Sequence, residues 1–216
     1  MLKNIYHHYI GAHNLQALLK KEIKDGWSIL DIGSGRNSCL SALDKTGWRV
    51  GIDHYLPYLK TSRQVRVHDE NVLGDVRALP FKDNAFDCAV ATEIIEHMEK
   101  EDGLIMLSEM ERVARKRILL TTPNGFLPTL PGPDDNPDEA HISGWTVDEL
   151  QGLGFKVYGF NGPKGLWTLK EGRSTMKAVP ESLPIVASIV TDIASSMVYN
   201  NPDKAFQLFF IKDKTI

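Results

Sequence analysis

The sequence predicts an α/β protein, a mostly parallel sheet with helices on both faces, and three observations carry that prediction. Short apolar stretches alternate with segments of helical periodicity from Trp27 onward, the pattern of strands buried on both faces. A glycine-bearing turn, "DIGSG" from Asp31 to Gly35, follows the first of these stretches. A long irregular run from Thr121 to His141, rich in proline, aspartate and glycine, follows a later one. That is the edge at which open α/β sheets bind ligands.

The elements follow in order. Leu15, Leu18, Leu19 and Ile23 recur at helical spacing within a leading helix of about Ile5 to Lys24, which "KDG" stops with a basic residue and a glycine. "WSILDI" reads as a buried strand, "SCLSALDKTG" as a helix, "WRVGID" as a strand and "YLPYLKTSRQ" as a short helix. Strands "VLGDV", "FDCAVA" and "RILLTT" continue the alternation, with a long helix from about Gly103 to Ala114. After the irregular run come a helix in "TVDELQGLG", a strand in "FKVYGF" and a last strand in "AFQLFFI", seven strands in all. The connection before the last strand, residues 161–204, is long for an α/β domain. It contains "LPIVASIVTDIASSMVY", in which Val186, Ile189, Val190, Ile193 and Met197 form a one-sided stripe. The expectation is a helical insertion that either caps an acceptor pocket or buries its stripe against the sheet or in a homodimer.

Composition sets the outer bounds. A chain of 216 residues with 42% hydrophobic and 25% charged residues suits one globular domain, 1–216. The net charge of −3 gives no global attraction to nucleic acid or anionic lipid, and "RVARKR" reads as the solvated end of a helix. Cys39 and Cys88 are too few for a disulfide framework or a thiolate zinc site. "MLKNIYHHYIGAH" lacks the apolar core of a signal peptide, and no apolar span reaches bilayer length. A cytoplasmic protein without a transmembrane segment is expected.

The glycine turn poses the functional question. Gly33 and Gly35 fit the dinucleotide fingerprint G-x-G-x-x-G, but Ser38 stands where the third glycine would pack helix against strand. Asp53, ending the second strand, suits the ribose hydroxyls of NAD and of S-adenosylmethionine equally. With Asp31 opening the turn, "LDIGSGRNS", "VGIDHY", "GDVRALPF" and "FDCAVATEIIEHM" arrive in order between Trp27 and Leu150. This set resembles the class I S-adenosylmethionine-dependent methyltransferases, of the type 11-like group that includes ubiquinone- and menaquinone-pathway enzymes. The resemblance implies a Rossmann-like sheet and a donor site in which Asp31 organises the turn. Gly33 and Gly35 would let the backbone approach the donor, and Asp53 would take both ribose hydroxyls. His54 would lie beside the ribose or adenine, while Asp75 and the Val76 amide would meet the adenine. The turn departs from the commonest pattern in having Asn37 where another glycine stands.

The acceptor end rests on "EIIEH", which places Glu93, Glu96 and His97 at i, i+3 and i+4. With "TPN" and the later His141 before "WT", it resembles metal-dependent methyltransferases of small-RNA 3′ ends, in which such carboxylates and histidines hold a divalent cation. Glu93, Glu96, His97 and His141 would then suit Mg²⁺ or Mn²⁺. In the metal-free reading His141 is the first candidate for general base, His97 the second and Glu93 the third. His7, His8 and His13 belong to the leading helix. The function expected is methyl transfer from S-adenosylmethionine to a small-molecule or lipid-like acceptor, nucleic acid being disfavoured by charge. The alternatives are a metal-assisted RNA 2′-O-methyltransferase, a non-catalytic donor-binding partner subunit and an NAD(P)-dependent oxidoreductase.

Overall fold

A computed structural model describes residues 15–132, 136–170, 173–176 and 184–214. The leading helix is described over residues 15–22 (α1); His7, His8 and His13 lie outside the described residues. Then follow β1 (Ile29–Ile32), β2 (Arg49–Asp53), α2 (Leu56–Val65), β3 (Glu70–Leu73), β4 (Phe86–Thr92), α3 (Lys100–Val113) and β5 (Ala114–Pro123). The second half contains α4 (Val147–Gly152), β6 (Lys156–Pro163), β7 (Trp167–Lys170), β8 (Arg173–Met176), α5 (Pro184–Val198) and β9 (Ala205–Asp213).

Seven strands form one sheet in the order β3-β2-β1-β4-β5-β9-β6. The first five are mutually parallel, and β9 runs antiparallel between β5 and β6. Side-chain alternation divides the core into two layers. Ile29, Val90, Leu119, Phe209 and Ile211 pack with Leu15, Leu19 and Ile23 of the α1 region on one face. Leu30, Ile32, Ala89, Ala91, Ile118, Leu120 and Phe210 pack with Met106 and Met110 of α3 and Leu150 of α4 on the other. Both faces of the central strands are therefore dry, which is why β1 and β4 are apolar apart from Asp31, Asp87 and Thr92.

Three sequence expectations are corrected. The helix expected in "SCLSALDKTG" is only a 3₁₀ turn, Cys39–Ala42, begun by Ser38, whose hydroxyl accepts from the Leu40 amide. Arg49 halts its growth: the guanidinium donates to the Leu40 and Leu43 carbonyls at 3.2 and 2.8 Å, groups that a longer helix would bond within itself. The strand expected in "VLGDV" ends at Leu73, where pairing with Asp53 stops. Beyond it Asp75 accepts from the Arg77 amide at 2.8 Å and closes a turn.

The third concerns residues 161–204. Their described part opens on the end of β6 and holds the β7–β8 hairpin as well as α5. Nor does the expected stripe of α5 face inward throughout, since Val186 and Met197 are exposed while Thr191, Ala194 and Val198 are buried. Small groups meet at this contact. A Cβ on Gly159 would lie 2.5 Å from the Val198 carbonyl, and one on Gly162 2.9 Å from the Ala194 Cβ. Close approach of helix to strand here needs small groups such as Ala194.

Candidate functional site

At the carboxyl end of β1, Gly33 and Gly35 adopt φ values of +64° and +58°, the left-handed conformation that glycine enters without strain. Gly33 also makes room: a Cβ there would sit 2.1 Å from Ile94 Cδ1. The Gly33 turn and the turn after β4 thus touch.

The acids beside the glycine turn are both buried and both engaged. Asp53 Oδ2 accepts from the Gly35 amide at 2.9 Å and Oδ1 from the Tyr55 amide at 2.8 Å. Each oxygen retains a second lone pair. Asp31 Oδ2 accepts from Ser38 Oγ at 2.5 Å and contacts His68 Nε2 at 2.8 Å. His68 in turn meets Ser62 Oγ at 3.3 Å, and Ser62 donates to Asn71 at 3.0 Å. His68 has no side-chain exposure, so this chain of polar groups fastens the turn to α2 and β3. Gly51 leaves it space, since a Cβ there would lie 2.9 Å from His68 Nδ1.

The remaining residues expected at the donor end are more open. His54 is more than half exposed and its Nε2 meets Asp138 Oδ2 at 3.0 Å, tying the irregular loop to β2. Val76 is buried. Asp75 is half-exposed and forked by Arg77, which also reaches Asp102 at 2.8 Å. The Arg77 hydrogen bonds hold the Asp75 carboxyl below the usual carboxylate range. The loop makes a second anchor where Tyr58 Oη accepts from the buried Asn136 amide at 2.8 Å.

The acceptor end is assembled across the chain. Glu93, just past β4, has φ +51°, a conformation that non-glycine residues enter at a cost of order 1 kcal/mol. Its amide is held by the carbonyl and hydroxyl of Thr121 at 3.2 and 3.1 Å. Glu93 Oε2 accepts from Gln207 at 2.5 Å, and Glu96 Oε2 from Thr122 at 3.1 Å. The other oxygen of each, Glu93 Oε1 and Glu96 Oε1, is buried without a partner. Burial pushes the Glu93 carboxyl up to about 7. Burial together with the Glu93 charge pushes Glu96 well above its ordinary range.

Backbone pairing brings His141 here from 44 residues beyond His97. The amides of Ile142 and Ser143 both donate to the Glu96 carbonyl, at 3.0 and 3.1 Å. Farther on, Gly125 and Trp145 bridge at 2.8 Å, and Trp145 fills a notch at Gly103 that a Cβ would close. His97 Nδ1 donates to the Ala140 carbonyl at 3.2 Å and His141 Nδ1 to the Leu127 carbonyl at 2.7 Å. Since a carbonyl cannot donate, each neutral ring has its lone pair on Nε2. The rings stand 4.8 Å apart, edge to face. Burial lowers both pKa values, that of His141 to about 4 with His97 contributing.

One donor atom from each of Glu96, His97 and His141 falls within 4.8 Å of the others. The unpartnered Glu96 oxygen and two neutral imidazoles form a mixed oxygen and nitrogen set of the kind that holds Mg²⁺ or Mn²⁺, and the carbonyls behind the imidazoles fix their tautomers as such sites require. Glu93 stands beside this trio but outside it, turned toward Gln207. Sequence reading missed His68, Thr122, Asn136, Asp138 and Gln207. Each is distant in sequence from its partner, and no local pattern marks it.

Comparison with known proteins agrees with this geometry. Residues 30–120 match a family model described as a methyltransferase domain. Demethylmenaquinone methyltransferase of Staphylococcus aureus (strain MRSA252) is 31% identical over 116 residues, 50% of this chain and 47% of that protein. An uncharacterized 37.1 kDa protein in transposon TN4556 of Streptomyces fradiae is 30% identical over 125 residues, 52% of this chain and 35% of that protein. The chain spans less than half the length of these curated relatives. A SAM-dependent methyltransferase from Archaeoglobus fulgidus superposes with TM-score 0.57 at 16% identity, covering 97% of this chain and 98% of that one. The likeness at that identity is one of fold.

Proposed function

From the match of residues 30–120 to a methyltransferase-domain model we propose that the chain is a class I S-adenosylmethionine-dependent methyltransferase, and that it methylates an oxygen of a small-molecule or lipid-like acceptor with the aid of a divalent cation. The observation that carries this reading is the close packing of Gly33 on Ile94, which sets the glycine turn against the segment that bears Glu93, Glu96 and His97. Bound S-adenosylmethionine supplies an electrophilic methyl group with its own thioether leaving group. Gly33 and Gly35 open the backbone to it, and Asp53, preset by two amides, offers its spare lone pairs to the ribose hydroxyls. Asp31, braced by Ser38 and His68, holds the turn in shape. His54, Asp75 and the Val76 amide serve the adenine side, Asp75 by leaving Arg77.

At the other end Glu96, His97 and His141 would hold Mg²⁺ or Mn²⁺, with Glu93 as a fourth ligand if Gln207 releases it. A cation there would lower the pKa of a coordinated acceptor hydroxyl and orient it toward the methyl group. Without one, the open lone pair of His141 Nε2 is the best placed base for the acceptor proton. The irregular loop is anchored at Tyr58 by the Asn136 amide and at His97 by the Ala140 carbonyl, which would place it beside the reacting groups. No helix among the described residues is long and apolar enough to cross a membrane, and the free thiols of Cys39 and Cys88 support a cytoplasmic setting.

The test is conversion of S-adenosylmethionine to S-adenosylhomocysteine, followed by mass spectrometry, with a panel of phenols, hydroxyacids, lipid alcohols and an RNA 3′ end. Turnover that chelator abolishes and Mn²⁺ restores is expected. Turnover indifferent to chelator removes the cation and leaves His141 as base. Turnover on the RNA end alone replaces the acceptor class.

A further inference from the structure

Beside the carboxylate and imidazole cluster lies a cavity of about 490 Å³, bordered by the start of the irregular loop, the β7–β8 hairpin and the beginning of β9. Its volume falls in the range of sites for drug-sized molecules. It adjoins the cluster at two points. Leu127 lines it, and the Leu127 carbonyl is the acceptor for His141 Nδ1 at 2.7 Å. Phe206 lines it, and the next residue, Gln207, donates to Glu93.

The walls have a definite chemistry. Trp167 and Phe206 stack with ring centroids 4.5 Å apart and planes 13° from parallel. The indole N–H of Trp167 is spent on the Asn161 carbonyl at 2.7 Å, so the ring meets the cavity as an apolar surface. Asn124 is likewise spent, its Nδ2 donating to the carbonyls of Pro202, Asp203 and Ala205. Phe126 and Leu169 are exposed at the rim. Among the described residues, Lys164 is the one charged residue that lines the cavity, and no described aspartate or glutamate does. The outer face of such a stack attracts a flat apolar body, and the cation beside it selects a negative group.

We infer that this cavity takes the body of the acceptor, and that the acceptor is a planar apolar molecule bearing one anionic group, held against the Trp167–Phe206 stack and by Lys164 at its charge. The inference rests on the methyl-transfer reading above for the word acceptor, and on the cavity alone for the ligand class. The nucleophilic oxygen would lie at the end of the molecule remote from Lys164, toward His141 and Glu96.

Titration calorimetry without donor or metal tests the ligand class separately from turnover, using hydroxynaphthoate, neutral naphthol and the non-planar cyclohexanecarboxylate. Hydroxynaphthoate should bind tightest, with naphthol about tenfold weaker for want of the charge-assisted contact. Lys164→Met should erase that difference and leave naphthol unchanged. This lysine is exposed on a turn, so the variant folds. Trp167→Leu should weaken both aromatic ligands together and preserve the difference between them. Equal binding of hydroxynaphthoate and naphthol, a preference that survives Lys164→Met, or no binding of hydroxynaphthoate overturns the inference. Binding as expected with no methyl transfer to any acceptor overturns the methyl-transfer reading and leaves the cavity's ligand class standing.

Discussion

The two ends of the candidate site differ in how their buried charges are satisfied. At the end of β1 and β2, Asp31 and Asp53 are almost fully buried, yet each is bonded by groups of the protein itself: Ser38 and His68 for one, the Gly35 and Tyr55 amides for the other. Past β4 and β5, Glu96 is buried and Glu93 half-buried, each with a buried oxygen that meets no partner. A buried carboxylate lacking a partner costs free energy, and two side by side cost more. The donor end is complete as it stands. The acceptor end is finished only when positive charge or a proton is added, which makes it the end at which chemistry is expected.

Removing one of the unsatisfied carboxylates should break this contrast most visibly. Glu96→Gln keeps the Thr122 contact and removes the buried acid, so turnover is expected to fall by about a hundredfold or more. The thermal midpoint should rise, because a cluster poised for function is strained for folding. A variant with lower stability and intact turnover would make Glu96 a structural group. Second in size is the response to a cation: Mn²⁺ at a hundred times its dissociation constant should stabilise the protein by about 2.7 kcal/mol. Thermal melts should lose that gain in Glu96→Gln and keep it in Asp53→Ala.

At the completed end, Asp53→Ala should weaken S-adenosylmethionine binding by about 1.5–3 kcal/mol, the usual value for a hydrogen-bonded charge, with no change in Mn²⁺ affinity. Unaltered donor affinity in calorimetry would take Asp53 out of the site. The smallest effect is expected at the half-exposed Asp75. Its carboxyl pKa is depressed in the folded state by Arg77. The ion pair therefore adds stability above the unfolded value of about 3.9, and that stability disappears as pH falls through the lower folded value. For so exposed a pair the contribution is below about 1 kcal/mol. Arg77→Ala should return the Asp75 titration, followed by NMR, to the ordinary carboxylate range. If it also tightens donor binding, Arg77 competes with adenine for Asp75.

Local pattern alone determined the seven strands, the glycine turn and the acids that flank it, because strand alternation, helical period and a left-handed turn are properties of neighbouring residues. Glu93, Glu96 and His97 were legible for the same reason, being within one turn of chain. Where propensity met a long-range competitor it misled. "SCLSALDKTG" has the composition of a helix, but Arg49 from the next strand takes its carbonyls. Val186 and Met197 of the expected α5 stripe are exposed, and the close approach of Gly159 and Gly162 to this helix is invisible within the helix itself.

Only the tertiary structure decided that His141 stands 4.8 Å from His97, through pairing of Ile142 and Ser143 with the Glu96 carbonyl. Only it showed that Asp31 is braced by His68, that Gln207 occupies Glu93, and that Trp167 and Phe206 share a wall of one cavity. A sequence carries the period and chemistry of each segment. Which distant segments meet, and so which buried charges are satisfied and which remain open, is settled when the chain closes on its core.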